Sequence, residues 1–167
     1  YRGYDSVGIS YKEENTNEVK TIKTKGKVKD LKLNIQDFDY QSNMIMGHTR
    51  WATHGVPSEA NSHPHVSMNN IFCLVHNGII ENCEQLKKNL LENNYKFIGE
   101  TDSEILVNYI EFCYLSIKQD YDSRNESITI NVILDVIKYS IKKVIGTYGI
   151  VLYKIDTPDK LFVLRNG

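Results

Sequence analysis

The order of secondary-structure signals predicts an α+β fold. Strands open the chain, helices follow and strands return at the end, which suits stacked layers better than a strictly alternating parallel sheet. Two further observations support this. Three stretches between residues 82 and 144 carry apolar residues at helical spacing. No Pro/Gly/Ser linker, repeat or low-complexity tract interrupts the 167 residues, so they read as one domain.

Val7-Gly8-Ile9-Ser10-Tyr11 has strand character, Glu13 to Asn17 makes a polar turn, and Glu18 to Thr24 alternates as a second strand. Lys27 to Leu33 reads as a short helix. Met44 to Thr49 is a buried-strand candidate that delivers Arg50 at its end. Val56 to Asn70, with two prolines and many small polar residues, reads as loop. Ile71 to His76 is a strong strand; Asn77-Gly78 then predicts a tight turn, with Ile79-Ile80 returning. Asn82 is placed to cap a helix through about Asn93, with Leu86, Leu90 and Leu91 inward. Thr101-Asp102-Ser103-Glu104 has the capping-box pattern, followed by Ile105, Leu106, Tyr109, Ile110 and Cys113 at helical spacing. A polar loop is expected from Gln119 to Ser127. A third helix follows through Ile128, Val132, Ile133, Val136, Ile137, Ile141 and Val144, and Gly146 ends it. Ile150 to Ile155 and Leu161 to Leu164 close as strands around the turn Asp156-Thr157-Pro158-Asp159.

Hydrophobic residues at 41% and charged residues at 25% indicate a globular chain. A formal net charge of −1 supplies no long-range attraction for nucleic acid or an anionic membrane. No apolar run reaches the ~20 residues that span a bilayer, and no secretory pattern is present, so a cytoplasmic location is expected. Cys73, Cys83 and Cys113 are odd in number and lack CxxC spacing, which argues against a disulfide framework or a Cys-rich zinc site. The missing Met before Tyr1 and the end at Gly167 without a closing helix read as an excerpt, incomplete at both ends, of a longer polypeptide.

Several residues carry chemistry. Arg50, at a strand end and followed by Trp51, has the planar fork that grips a carboxylate through two parallel hydrogen bonds; an ordinary surface ion pair is the plainer explanation. Thr53 and His54 offer a hydroxyl and an imidazole, though loop residues of these kinds are common. Asn77-Gly78 is a hairpin dipeptide on its own, yet an Asn amide and an adjacent unshielded N–H are also the donors an oxyanion needs. Asp102 at a helix start has capping as its default role, and the same carboxylate could hold an ammonium. His48, His54, His63, His65 and His76 invite a metal reading, but no HExxH or finger spacing supports one, so no metal is expected. Neither GxGxxG nor GxxxxGK[ST] occurs, so nucleotide cradling is not indicated and no cofactor is expected.

In combination these residues resemble a known family. Tyr1-Arg2-Gly3-Tyr4-Asp5-Ser6, Gly47 to Gly55, Pro57 to His65, Val75 to Asn82 and Gly99 to Glu104 resemble, in order and spacing, the class II (N-terminal nucleophile) glutamine amidotransferase domain. A weaker likeness continues through Gly146-Thr147-Tyr148-Gly149. Tyr-Arg-Gly-Tyr-Asp-Ser and Arg-Trp-Ala-Thr-His-Gly favour the branch that aminates fructose 6-phosphate over amidophosphoribosyltransferases, asparagine synthetases and glutamate synthases.

The resemblance implies an αββα four-layer sandwich and hydrolysis of L-glutamine to glutamate and ammonia. Arg50 would hold the α-carboxylate and Asp102 the α-ammonium. Trp51, Thr53 and His54 would shape the pocket, Asn77 and Gly78 would form the oxyanion hole, and Arg2 would position the nucleophile's end of the chain. It also implies sugar-phosphate isomerase domains downstream in the same polypeptide, glucosamine 6-phosphate as product and a homo-oligomer. The family's nucleophile is an N-terminal cysteine whose own α-amino group, with a pKa of ~7.7–8.0, serves as base. That cysteine would precede Tyr1, so residues 1–167 alone are expected to be inactive. A glutamine-binding regulatory module without catalysis is the alternative, and a histidine-based metal hydrolase a third.

Overall fold

The computed structural model describes residues 5–13, 18–35, 42, 44–51 and 55–167. A three-stranded antiparallel sheet forms from β1 (Ser6–Lys12), β2 (Val19–Lys25) and β3 (Ile45–Arg50), with β1 in the middle. Helix α1 (Val28–Asn34) packs against β1 and β2. The second sheet is antiparallel in the order β4 (His65–Val66), β5 (Phe72–Ile80), β6 (Gly146–Lys154) and β7 (Thr157–Asn166). Helices α2 (Cys83–Glu92), α3 (Asp102–Ser123) and α4 (Ile130–Ile141) cover one of its faces.

Strand periodicity separates the two faces of this second sheet. Phe72, Leu74, Ile150, Leu152 and Phe162 meet Leu86, Leu90, Leu106, Ile110, Val136 and Ile137 of the helices in the larger core. Cys73, Val75 and Tyr153 point the other way and meet Met44 and Met46 beside the first sheet. The layers therefore run α–β–β–α, the four-layer sandwich that the resemblance implies.

Several local expectations are corrected. Asn77-Gly78 makes no turn: β5 runs unbroken to Ile80, with Asn77 opposite Gly149 and Gly78 opposite Tyr148 on β6. Pairing with a distant strand overrides the local turn preference. Of the loop expected from Gln119 to Ser127, residues 119–123 are instead the last helical turn of α3, where Lys118 pairs with Asp122 one turn on, and residues 124–127 are non-helical as expected. An exposed helix end is polar all round, so periodicity cannot mark it. Gly146 does not stop α4, which ends at Ile141. It opens β6 at φ +141°, where a Cβ would lie 2.1 Å from the Ile79 carbonyl oxygen. The final turn lies at Ile155-Asp156, and Thr157 and Pro158 already belong to β7. Within the expected loop before Asn70, the short β4 pairs with Cys73 and Leu74.

The caps also differ. Asn82 makes no side-chain cap on α2. Its amide joins the α4–β6 connection instead, donating to the Lys143 carbonyl (2.9 Å) and accepting from Ile145 N–H (2.9 Å). The capping box of α3 is half formed: Thr101 Oγ1 accepts from Glu104 N–H at 3.1 Å. The Glu104 carboxylate turns away to accept from Ile98 N–H and Gly99 N–H, each at 2.8 Å.

Candidate active site

Alternation along β3 places Met46, His48 and Arg50 on the face toward the second sheet. Arg50 is 5% exposed at the strand end, opposite Ser6. Its Nη2 donates to the Gly55 carbonyl at 3.2 Å, and Nη1 lies 3.9 Å from Asp5 Oδ1. Trp51 follows, 67% exposed. Arg2, Thr53 and His54 lie outside the described residues.

Strand β5 leaves the core at its far end: residues 72–76 are buried, whereas Asn77, Gly78 and Ile79 are exposed. Gly78 sits at φ +142°, and a Cβ there would come within 2.0 Å of the Thr147 carbonyl oxygen. Only glycine fits. Because β4 pairs with Cys73 and Leu74 alone, the other edge of β5 beyond them has no strand beside it among the described residues. There Asp102, 5% exposed at the start of α3, accepts Ile80 N–H through Oδ2 at 2.9 Å. Its Oδ1 accepts from Ser103 Oγ–H at 3.3 Å and lies 4.0 Å from His76 Nδ1. His76, just before Asn77, shares a 2.9 Å hydrogen bond with Ser103 Oγ.

Between the Arg50 and Asp102 sides lies a polar seam. The His48 and His63 rings are 4.3 Å apart, and His63 and His65 meet edge-on at 4.7 Å. Burial pushes His63 and His65 well below the usual imidazole range, and the neighbouring positive groups reinforce it; His48 shifts the same way for the same first reason. His65 Nε2 bonds Thr101 Oγ1 at 3.1 Å, one residue before Asp102. Because Thr101 Oγ already accepts from Glu104 N–H, its own hydrogen is available to the neutral imidazole. Asn61, 2% exposed, joins the loop after Arg50 to the loop before Asp102. The backbone of His63 presses against Gly8, where a Cβ would lie 2.2 Å from its carbonyl oxygen. Among the described residues no group of three or more His, Cys, Asp or Glu is arranged to hold a metal ion.

The sequence pattern of the family described as "Glutamine amidotransferase domain" matches residues 9–120, well over half of the chain. The chain belongs to that family. Relatives of this amidotransferase domain include the glutamine–fructose-6-phosphate aminotransferases (isomerizing) of Clostridium perfringens, 38% identical over 99% of this chain and 24% of that protein, and of Haemophilus influenzae, 38% identical over 100% of this chain and 25% of that protein. The chain thus spans about a quarter of the length of such relatives. Among solved structures, the glutamine phosphoribosylpyrophosphate amidotransferase from B. subtilis shares the fold, with a TM-score of 0.70 at 24% identity over 99% of this chain and 32% of that one. An allosteric regulatory enzyme of purine biosynthesis does likewise, with a TM-score of 0.71 at 23% identity over 99% of this chain and 32% of that one.

The three thiols of this amidotransferase domain are poorly suited to attack. Cys73 and Cys113 are buried, and burial pushes both thiols up. Burial also raises the more accessible Cys83, helped by the nearby Glu84 and Asp102 carboxylates. Sequence reasoning singled out Arg50, Trp51, Asn77, Gly78 and Asp102. It missed the roles of Asn61, His76, Ser103 and Glu104. Glu104 had a sequence signal, the capping-box spacing, but its true partners lie in the preceding loop. No helix among the described residues is long and apolar enough to cross a membrane.

Proposed function

We propose that the chain is the glutaminase part of a glutamine–fructose-6-phosphate aminotransferase, releasing from L-glutamine the ammonia used to form glucosamine 6-phosphate. The observation that carries this reading is the exposed Asn77-Gly78 end of β5, with its open edge fastened to Asp102 and the buried Arg50 across the histidine seam. In this reading Arg50 binds the α-carboxylate and Asp102 the α-ammonium. Trp51, Thr53 and His54 wall the pocket, and Arg2 steadies the segment bearing the nucleophile.

A thiolate attacks the side-chain carbonyl carbon, and the Asn77 amide and Gly78 N–H stabilise the oxyanion. Collapse breaks the C–N bond, ammonia departs with the proton taken from the thiol, and water hydrolyses the thioester to glutamate. The resemblance to the class II amidotransferases assigns the nucleophile to an N-terminal cysteine preceding Tyr1, and the upward shift of the Cys73, Cys83 and Cys113 thiols by burial favours that assignment over any of the three. On this reading residues 1–167 by themselves are expected to release no glutamate. The relatives' name, glutamine–fructose-6-phosphate aminotransferase (isomerizing), and the three quarters of their length beyond this match support sugar-phosphate isomerase domains taking fructose 6-phosphate in the same polypeptide; a cytoplasmic location and a homo-oligomer belong to the same proposal.

The test is glutamate release by the full-length protein, with and without Arg50→Ala. The wild type is expected to turn over glutamine, and the variant to lose about 10²-fold or more in kcat/KM. Binding of glutamine by calorimetry without any turnover would instead support a regulatory glutamine-binding module.

A further inference from the structure

We propose that Asn61 is a positioning residue that sets the spacing between the two grips on the substrate, locking the Arg50 side of the site to the Asp102 side. The proposal rests on the glutamine-holding roles given above to Arg50 and Asp102. Among the described residues, the hydrogen bonds of Asn61 go to neither Arg50 nor Asp102. Its carboxamide bridges the two loops that hold them: Nδ2 donates to the Val56 carbonyl at 2.9 Å, and Oδ1 accepts from Glu100 N–H at 2.8 Å. The partners fix the orientation of the amide, because a carbonyl only accepts and a backbone N–H only donates. Asn61 N–H lies 3.2 Å from Ser58 Oγ, anchoring its own backbone.

Each half of the bridge continues to a grip. On one side, Gly55 precedes Val56, and its carbonyl receives the Arg50 guanidinium at 3.2 Å. On the other, Glu100 leads into Thr101, which caps α3, and then into Asp102. The Glu104 carboxylate holds Ile98 and Gly99 by their N–H groups, so this side is fixed to the helix itself.

Two glycines reveal how closely the loops press on the amide. A Cβ at Gly55 would lie 2.5 Å from Asn61 Nδ2, and a Cβ at Gly99 would lie 2.5 Å from Asn61 Oδ1. A carboxamide gripped on both sides by backbone acts as a spacer of fixed length. A ligand held at both ends feels that length; a ligand held at one end does not.

The experiment uses the full-length protein with Asn61→Ala and Asn61→Asp. The latter keeps the acceptor for Glu100 N–H while setting an oxygen against the Val56 carbonyl, and it carries the same test if the alanine variant fails to fold. Glutaminase KM and kcat are measured, with inhibition by L-glutamate, by 4-carbamoylbutanoate (carboxylate end only) and by 4-aminobutanamide (ammonium end only). The expected result is a rise of about tenfold in KM for glutamine and in the inhibition constant of glutamate, with kcat and both single-ended inhibitors within about twofold. Equal weakening of all ligands, or an unchanged KM, overturns the proposal. Arg50→Lys and Asp102→Asn are run beside them. If these raise KM while the Asn61 variants do not, only the spacer role falls; if neither raises it, the substrate reading falls as well.

Discussion

The helix-covered core and the polar seam are both well buried, yet they are built from opposite materials. The core joins β5, β6 and β7 to α2, α3 and α4 through aliphatic and aromatic contacts, including the edge-on pair Phe72–Tyr114 with ring centroids 5.4 Å apart. The seam holds Arg50, three neighbouring imidazoles, Asn61, Thr101 and Asp102, tied by directional hydrogen bonds through Arg50, Asn61 and His65, while His48 Nδ1 and His63 Nδ1 are buried without a hydrogen-bond partner among the described residues. Further along α3, Glu111 accepts from Asn69 N–H and its amide, and Asn108 accepts from Met68 N–H at 2.8 Å. Those bonds fix the turn between β4 and β5 to α3. The contrast teaches a division of labour: non-directional burial supplies stability, and directional hydrogen bonds in a thinner layer set distances.

The most damaging change should come where the seam reaches β5. Gly78→Val puts side-chain atoms against the Thr147 carbonyl oxygen and demands a left-handed φ that valine resists. Full-length glutaminase is expected to fall by at least ~10³-fold, with a lower thermal midpoint. Normal turnover in this variant would show that this strand end plays no part in the reaction. In the core, Leu152→Ala removes a fully buried side chain and should cost about 2–5 kcal/mol in denaturant unfolding. Its kcat/KM, measured where the protein is still folded, should barely move.

Asn77→Ala reverses that pattern. The side chain is exposed, so the unfolding midpoint should stay put, while loss of one oxyanion donor should lower kcat by ~10²–10³-fold with little change in KM. A KM effect alone would give Asn77 a binding role instead. A smaller effect is expected for Asp102→Asn, which retains an acceptor for Ile80 N–H but loses its charge. Its KM for glutamine should rise by roughly ten- to a hundredfold, with kcat largely preserved.

The same division explains which parts were legible in the sequence. Core helices announce themselves because burial writes a period into the chain: Leu86 with Leu90, or Ile133 with Val136 and Ile137, all buried at helical spacing. Strand β3 and the delivery of Arg50 at its end were legible from the apolar run Met44-Ile45-Met46, but the strand lies at the edge of its sheet with Ile45 exposed, rather than buried on both faces as expected. The seam writes no period. Asn61 matters because two loops far apart in sequence close on its amide, and one residue in a polar loop carries no mark of that. Asn77-Gly78 reads locally as a turn, and only the partner strand β6 reveals that the glycine is needed for close backbone approach. Asn82 likewise carries a capping signal that a longer-range pair of hydrogen bonds overrides.

The mildest prediction separates the two regions by pH. The larger core packs its sheet on the helices through aliphatic and aromatic side chains, whereas burial in the seam holds His63 and His65 well below their ordinary values and lowers His48 too. These side chains are neutral in the folded protein, and the unfolded chain takes up their protons below about pH 6.5. The unfolded state then binds more protons than the folded one, so stability decreases as pH falls through ~6.5 and toward the lowered folded values, and is unaffected by these groups above it. Denaturant midpoints of the full-length protein should be compared at pH 8, 6.5 and 5.5 for wild type and His65→Gln. Both should be flat above neutrality, and the variant should lose less on acidification. It will start from a lower midpoint, because a flexible glutamine replaces an imidazole that is fully buried and packed edge-on against His63. An equal acid slope in the two proteins would assign the pH dependence to carboxylates and leave the seam's histidines as packing groups alone.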